Sequence, residues 1–183
     1  GVSKFTKMSV FSALSNLTDI SNAPEYADML GYTEEELDEY FGEHMAAHAK
    51  VMGLADEAYR AELKRWFNGY RFTTKNPVTV YNPVSIGLTF AGQDDEFKGT
   101  WTQTGRPSML MNFMRREGVV HIDPYRTISA MEKDFDVSDL SNLNEIGMLY
   151  QTGYLTIDSY EAGLYKLRVP DEEVRRDIAA LIA

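Results

Sequence analysis

The sequence predicts an α+β fold, mainly α-helical, on three observations. Apolar residues recur at helical spacing behind clear start signals, as at Thr33-x-x-Glu36 followed by Leu37, Phe41 and Met45. Asn82-Pro83 and Pro107 mark further starts, because proline at the first helical position gives up an N–H that would be unpaired anyway. Strand-like alternation is confined to short pieces, chiefly Tyr154-Leu155-Thr156-Ile157 and Leu164-Tyr165-Lys166-Leu167, which a loop containing Gly163 joins as a hairpin. At 183 residues the chain is expected to form one domain or two small packed subdomains.

Taken in order, Phe5 to Leu17 reads as the end of a strand and loop leading into an apolar turn, and Asn16, Asp19, Ser21 and Asn22 mark a loop. Pro24 to Leu30 is expected as a short helix stopped by Gly31. The Thr33 capping box opens a helix at Glu34, and a second runs from Asp56 to Phe67 and ends at Asn68-Gly69. Val78-Thr79-Val80 is a short strand or extended link, after which Asn82 caps a helix that reaches Gly92. Gln93 to Gly99 is predicted as an exposed loop. Pro107 begins a helix carrying Leu110, Phe113 and Met114 and closed by Gly118, and Val119 to Ile122 is a strand. Asp123 to Val137 carries no clear pattern, and a boundary between two subdomains is expected within Asp123 to Ser138. A helix capped by Ser138 then runs to Tyr150, the hairpin follows, and Asp171-Glu172-Glu173-Val174 starts a final helix. Helix, hairpin and helix in this order suggest a small winged-helix-like subdomain.

Charge narrows the function. The net charge of -10 argues against binding nucleic acid by bulk electrostatics, which needs clustered Lys and Arg. Glu34, Glu35, Glu36, Asp38, Glu39 and Glu43 form a run that reads as a solvated helix face. Lys166, Arg168, Arg175 and Arg176 supply the one concentration of positive charge, a surface for protein or DNA. The chain has no cysteine, so disulfides, thiolate zinc sites and cysteine nucleophiles are excluded. No apolar run is long enough for a membrane span, and the chain reads as soluble and cytoplasmic.

Three further constellations bear on chemistry. His44 and His48 stand one helical turn apart, the spacing of zinc peptidases, but Met45 occupies the place of the general-base glutamate and no third ligand follows. Trp66, Tyr70, Arg71 and Phe72 suit a core and helix cap better than a base-stacking platform, with Arg71 expected to bond a carboxylate or backbone. Pro170-Asp171 lacks the acidic-x-Lys strand that would make it a nuclease centre.

The run Lys64-Arg65-Trp66-Phe67-Asn68-Gly69-Tyr70-Arg71-Phe72, with Tyr81-Asn82-Pro83, Tyr150-Gln151-Thr152-Gly153-Tyr154-Leu155-Thr156-Ile157, Gly31 to Leu37 and the opening Gly1-Val2-Ser3-Lys4-Phe5, resembles the bacterial AAA-ATPase-like family. Members of that family typically carry a PD-(D/E)XK nuclease-like domain after the ATPase region. The resemblance covers nearly the whole chain and implies the C-terminal part of an ATPase module: residues 1–17 as the tail of the ATPase core, 18–130 as a helical lid, and 131–183 as the winged-helix-like subdomain. It implies ATP and Mg bound in an intact parent, an upstream P-loop half and a downstream nuclease-like domain. No Gly-x4-Gly-Lys-[Ser/Thr] loop occurs here, so no catalysis or cofactor is expected of this chain alone. By the same resemblance Ser3 and Lys4 match a sensor segment near the γ-phosphate, and Gly105-Arg106-Pro107 matches a Gly-x-Pro segment of the lid near the adenine. Gly105 to Pro107 serves equally well as an ordinary helix start. The alternative function is a winged-helix-like module that binds protein or DNA without nucleotide.

Overall fold

The computed structural model describes residue 18 and residues 20–92, 94–100, 123–136 and 144–182. Six α-helices and two small antiparallel sheets lie in these ranges, giving an α+β, mainly helical fold. Ser3, Lys4, Gly105, Arg106 and Pro107, the segment 5–17, the helix expected from Pro107 and the strand over 119–122 lie outside the described residues.

Helix α1 (Glu34–Met52) starts as its sequence dictates. The Thr33 hydroxyl accepts the Glu36 N–H at 3.2 Å and the Glu36 carboxylate accepts the Thr33 N–H at 2.9 Å, closing the capping box. Three glutamates in the first turn suit the positive end of the helix dipole. Leu37, Met45 and Ala49 face the core, and Phe41 packs at its rim. Helix α2 (Asp56–Phe67) continues directly into strand β1 (Asn68–Tyr70), which pairs with β2 (Val80–Tyr81). The Asn82 side chain accepts the Val84 N–H at 2.9 Å and opens α3 (Pro83–Ala91).

Strand β3 (Ile128–Ala130) and the short helix α4 (Glu132–Phe135) give form to a stretch whose sequence shows no pattern. They lead to α5 (Glu145–Gln151), β4 (Thr156–Glu161), β5 (Leu164–Arg168) and α6 (Glu172–Ile182). The second sheet has the order β3-β5-β4, so the hairpin gains a third strand from before α4. Ala162 and Gly163, both at positive φ (52° and 85°), form the two-residue turn that matches the twist of its strands.

Three expectations are corrected. Pro24 to Leu30 is not a helix: a 3₁₀ turn spans Pro24–Tyr26 and looser turns follow, because the chain must reach Tyr32, which exchanges both backbone hydrogen bonds with Tyr81. Helix α5 begins at Glu145, where the Asn144 side chain accepts the Gly147 N–H at 2.8 Å; Ser138 lies outside the described residues. The stretch after Gln93 is not simply exposed, since Phe97 is buried against Tyr59, Trp66, Phe67 and His48. One aromatic in a charged loop fills a gap that α1 and α2 leave open.

Two apolar clusters result. The first gathers Leu37, Met45, Tyr59, Leu63, Trp66, Phe67, Ile86 and Phe97 from α1, α2, α3 and the Phe97 loop. The second packs Phe135, Met148, Leu149, Tyr154, Ile157, Leu167, Val174 and Ile178 around the three-stranded sheet. Tyrosine hydroxyls inside the first cluster are paired: Tyr81 donates to the Glu34 carboxylate at 2.9 Å, and Tyr59 lies 2.9 Å from His48 Nδ1. Burial pushes both phenols well above their ordinary value, and at Tyr81 the Glu34 charge pushes the same way.

Trp66→Ala and Tyr154→Ala each remove a buried aromatic and should cost about 3 to 5 kcal/mol, read as a lower melting temperature; an unaltered melt would remove that residue from the core. Because the folded values of Tyr59 and Tyr81 lie above the unfolded one, the stability they contribute is whole below about pH 10 and is lost as pH rises beyond it. Alkaline titration should therefore show unfolding together with the last tyrosinate absorbance, and full ionisation of all tyrosines in a still-folded chain would contradict it.

Candidate functional site

Among the described residues, Asn68 to Arg71, Tyr81-Asn82 and Gly153 to Ile157 are far apart in sequence and meet at one joint. Its first part is a bulge in β1. Asn68 opposes Tyr81 and Tyr70 opposes Val80, which leaves Gly69 as the extra residue. Gly69 sits at φ 152°, and a Cβ there would run into the Pro170 carbonyl, so glycine is required both by conformation and by close backbone approach.

A second bulge lies in β4, where the register shifts between Ile157 and Ser159 and Asp158 is the extra residue. Two arginines tie the bulges together. Arg168 donates to the Gly69 carbonyl (2.9 Å), to the Pro170 carbonyl (2.7 Å), to the Val169 carbonyl (3.1 Å) and to the Asp158 carboxylate (3.1 Å). Arg71 donates to the carbonyls of Thr73, Thr74, Asn76 and Asp158, fixing the loop after β1. A planar fork of five donors can serve several carbonyls at once, which a lysine cannot. Around them the Thr156 hydroxyl accepts the Arg71 N–H and donates to the Arg71 carbonyl, both at 2.8 Å, and Tyr70 donates to the Gly153 carbonyl at 3.4 Å.

The start of α6 closes the joint with three consecutive acids, each with its own partners. Asp171 caps its own helix through the Val174 N–H at 2.9 Å. Glu172 reaches Arg175 (2.8 Å), Arg176 (2.9 Å) and, on α2, Arg65 (3.3 Å). Burial pushes its carboxyl up, but the three guanidinium groups outweigh this and hold it below the usual carboxylate range. Glu173, fully buried, accepts the Ser85 hydroxyl of α3 at 2.6 Å and the Thr100 N–H and hydroxyl at 2.5 and 3.0 Å. Arg176 lies over the Trp66 ring, 4.4 Å from its centroid, and Arg65 lies 5.7 Å from it.

The four basic residues read from the sequence as an interaction surface thus have different fates. Arg168 is committed inside the joint. Arg175 bonds Glu172 and the Pro124 carbonyl and lies against Tyr125. Arg176 pairs with Glu172 but stays largely exposed, and the half-buried Lys166 donates to the hydroxyl of the exposed Ser129. Arg71 bonds backbone, as expected of it. His44 and His48 do not point together at open space: His44 packs near Phe41 and Phe90, whereas both His48 ring nitrogens are occupied. His48 Nε2 donates to the Asp94 carbonyl at 3.0 Å, which leaves Nδ1 to accept from Tyr59. Among the described residues no group of three or more metal-ligating side chains occurs, and no helix is long and apolar enough to cross a membrane. Sequence reasoning missed Glu173, Ser85 and Thr100; an acid in the first turn of a helix looks the same in sequence whether it faces water or a core.

No protein-family model and no solved structure matches the chain. An uncharacterized protein in the vnfD 5′ region of Azotobacter chroococcum mcd 1 is 35% identical over 184 residues. The alignment takes in 97% of this chain and 32% of that protein, so the chain spans about a third of the length of the curated relative it matches.

Arg168→Lys should cost about 2 kcal/mol or more in urea unfolding, because buried carbonyls lose their donors. Lys166→Glu, at an exposed pair, should change stability by less than about 1 kcal/mol. Equal small losses for the two would mean that Arg168 contributes no more than a surface cation.

Proposed function

We propose that this chain is the nucleotide-responsive lid and regulatory region of a longer AAA-ATPase-like protein and is not catalytic alone. The observation that carries the proposal is the convergence of the resembling segments: Asn68 to Arg71, Tyr81-Asn82 and Gly153 to Ile157 bond one another through backbone and short polar side chains. Such a joint couples helices α1, α2 and α3 to the sheet of β3, β5 and β4, so that a displacement of one is passed to the other. The relative from Azotobacter, about three times the aligned length, supports this region's belonging to a larger protein.

In that protein the P-loop half holds ATP and Mg, Ser3 and Lys4 lie toward the γ-phosphate, and Gly105-Arg106-Pro107 lies toward the adenine. Hydrolysis releases the contacts to the γ-phosphate and the lid shifts as a two-state element. The joint carries that shift to the winged-helix-like subdomain and on to a nuclease-like domain or partner protein. Arg176, the exposed member of the basic set, and Lys166, whose bond to Ser129 lies at the surface, are the residues of that subdomain best placed to meet a partner. A cytoplasmic setting goes with this reading and with the cysteine-free sequence.

Isothermal titration of ATP tests it. The 183-residue chain should show no measurable affinity, since phosphate binding rests on a glycine loop and magnesium on its Ser/Thr and acid. A protein extended upstream through a P-loop should bind, and replacement of Gly105 or Pro107 there should weaken retention. Micromolar affinity in the 183-residue chain would sink the assignment, and normal affinity in those variants would leave Gly105 to Pro107 as a helix start only.

A further inference from the structure

We propose that Asp171 is a proton-controlled latch: its neutral carboxyl holds the start of α6 docked against β1, and ionisation loosens that docking. The latch rests on the geometry around α6 and stands whether or not the nucleotide reading holds.

Asp171 is only 3% exposed, directly behind the Pro170 carbonyl that touches the Gly69 bulge. Its Oδ1 accepts the Val174 N–H, which is all that helix capping asks of it. Its Oδ2 is buried with no hydrogen-bond partner. A neutral acid keeps the capping oxygen available, whereas the anion leaves half its charge on a buried oxygen that no protein group hydrogen-bonds.

The charged and titratable neighbours do not relieve this. On β5, Arg168 is spent on three carbonyls and Asp158; on α6, Arg175 is spent on Glu172 and the Pro124 carbonyl. Also on α6, Glu173 places a second buried carboxyl close by, and on β1 Tyr70 faces the pair with a hydroxyl that burial pushes far up. Desolvation therefore holds the Asp171 carboxyl well above the usual carboxylate range; the Val174 N–H, Arg175 and Arg168 pull the other way and Glu173 adds to the rise.

The folded chain thus binds this proton more tightly than the unfolded one. The latch is at full strength below about pH 4, the ordinary carboxylate range, and weakens as pH rises through the folded value. Glu172 runs in the opposite sense, its contribution being lost on acidification. Comparison with an Asp171 variant separates the two. The consequence reaches beyond the cap, because Glu172 and Glu173 on the same turn bind α2 and α3.

Asp171→Asn keeps the capping oxygen and abolishes the ionisation. Melting temperatures of the 183-residue wild type and the variant, taken from about pH 4 to about pH 9, should differ by a gap that grows in the variant's favour as pH rises. A gap of the same size at every pH overturns the proposal, whatever its sign. Should the variant not fold, the wild type decides alone through its carboxyl carbon titration and amide exchange. The Asp171 carboxyl should titrate above the ordinary range, and the Val174 and Arg175 amides should lose protection, corrected for intrinsic exchange, by about tenfold for each unit of that rise. Titration in the ordinary range, or protection that does not change as Asp171 ionises, overturns it.

Discussion

The close approach of the β1 backbone to the Pro170 carbonyl at Gly69 is the constraint on which the rest of the structure depends. It brings a strand that continues α2 within reach of the turn that begins α6, two segments a hundred residues apart in sequence. Once they touch, the carbonyls of Gly69, Val169 and Pro170 point into a space that solvent no longer serves, and unpaired carbonyls there would each cost about 1 to 3 kcal/mol. Arg168 answers all three. Its fork also reaches Asp158, the bulged residue of β4, so one side chain holds two irregularities of two different sheets in register.

From that contact the chemistry of α6 follows. Its first turn is pressed against α2, α3 and β1, so acids that would ordinarily sit in water are forced to find partners. Glu172 finds guanidinium groups and is held ionised, and Glu173 finds hydroxyls and a backbone N–H. Asp171 finds one N–H and nothing for its second oxygen. Neighbours in sequence thus differ in kind because they differ in which atoms surround them. Among the described residues, Arg65, Arg168 and Arg175 are engaged by the acids and carbonyls of the joint.

Local signals were legible where a rule acts over a few residues. The capping box at Thr33, the Asn82-Pro83 start, the end of α2 at Asn68-Gly69 and the hairpin around Gly163 all form within one turn of chain, so their sequences suffice. Misreadings occurred where distant atoms intervene. Pro24 to Leu30 has the makings of a helix, yet the Tyr32 bridge to Tyr81 draws the chain away from it. Phe97 sits in a run of charges that marks a loop, and only the gap between α1 and α2 explains its burial.

By itself, then, the amino-acid order determined the fold class, most helix starts, the hairpin and the burial of Trp66, because spacing and capping are properties of neighbouring residues. It also carried the family resemblance, as a set of separate segments without a reason for their company. The tertiary structure alone decided that Asn68 to Arg71, Tyr81-Asn82 and Gly153 to Ile157 form one joint, that Arg168 belongs inside it, that β3 joins the hairpin, and that three adjacent acids have three different electrostatic fates. Each of these depends on which surfaces are excluded from water, and that exclusion is set by contacts between residues the chain keeps far apart.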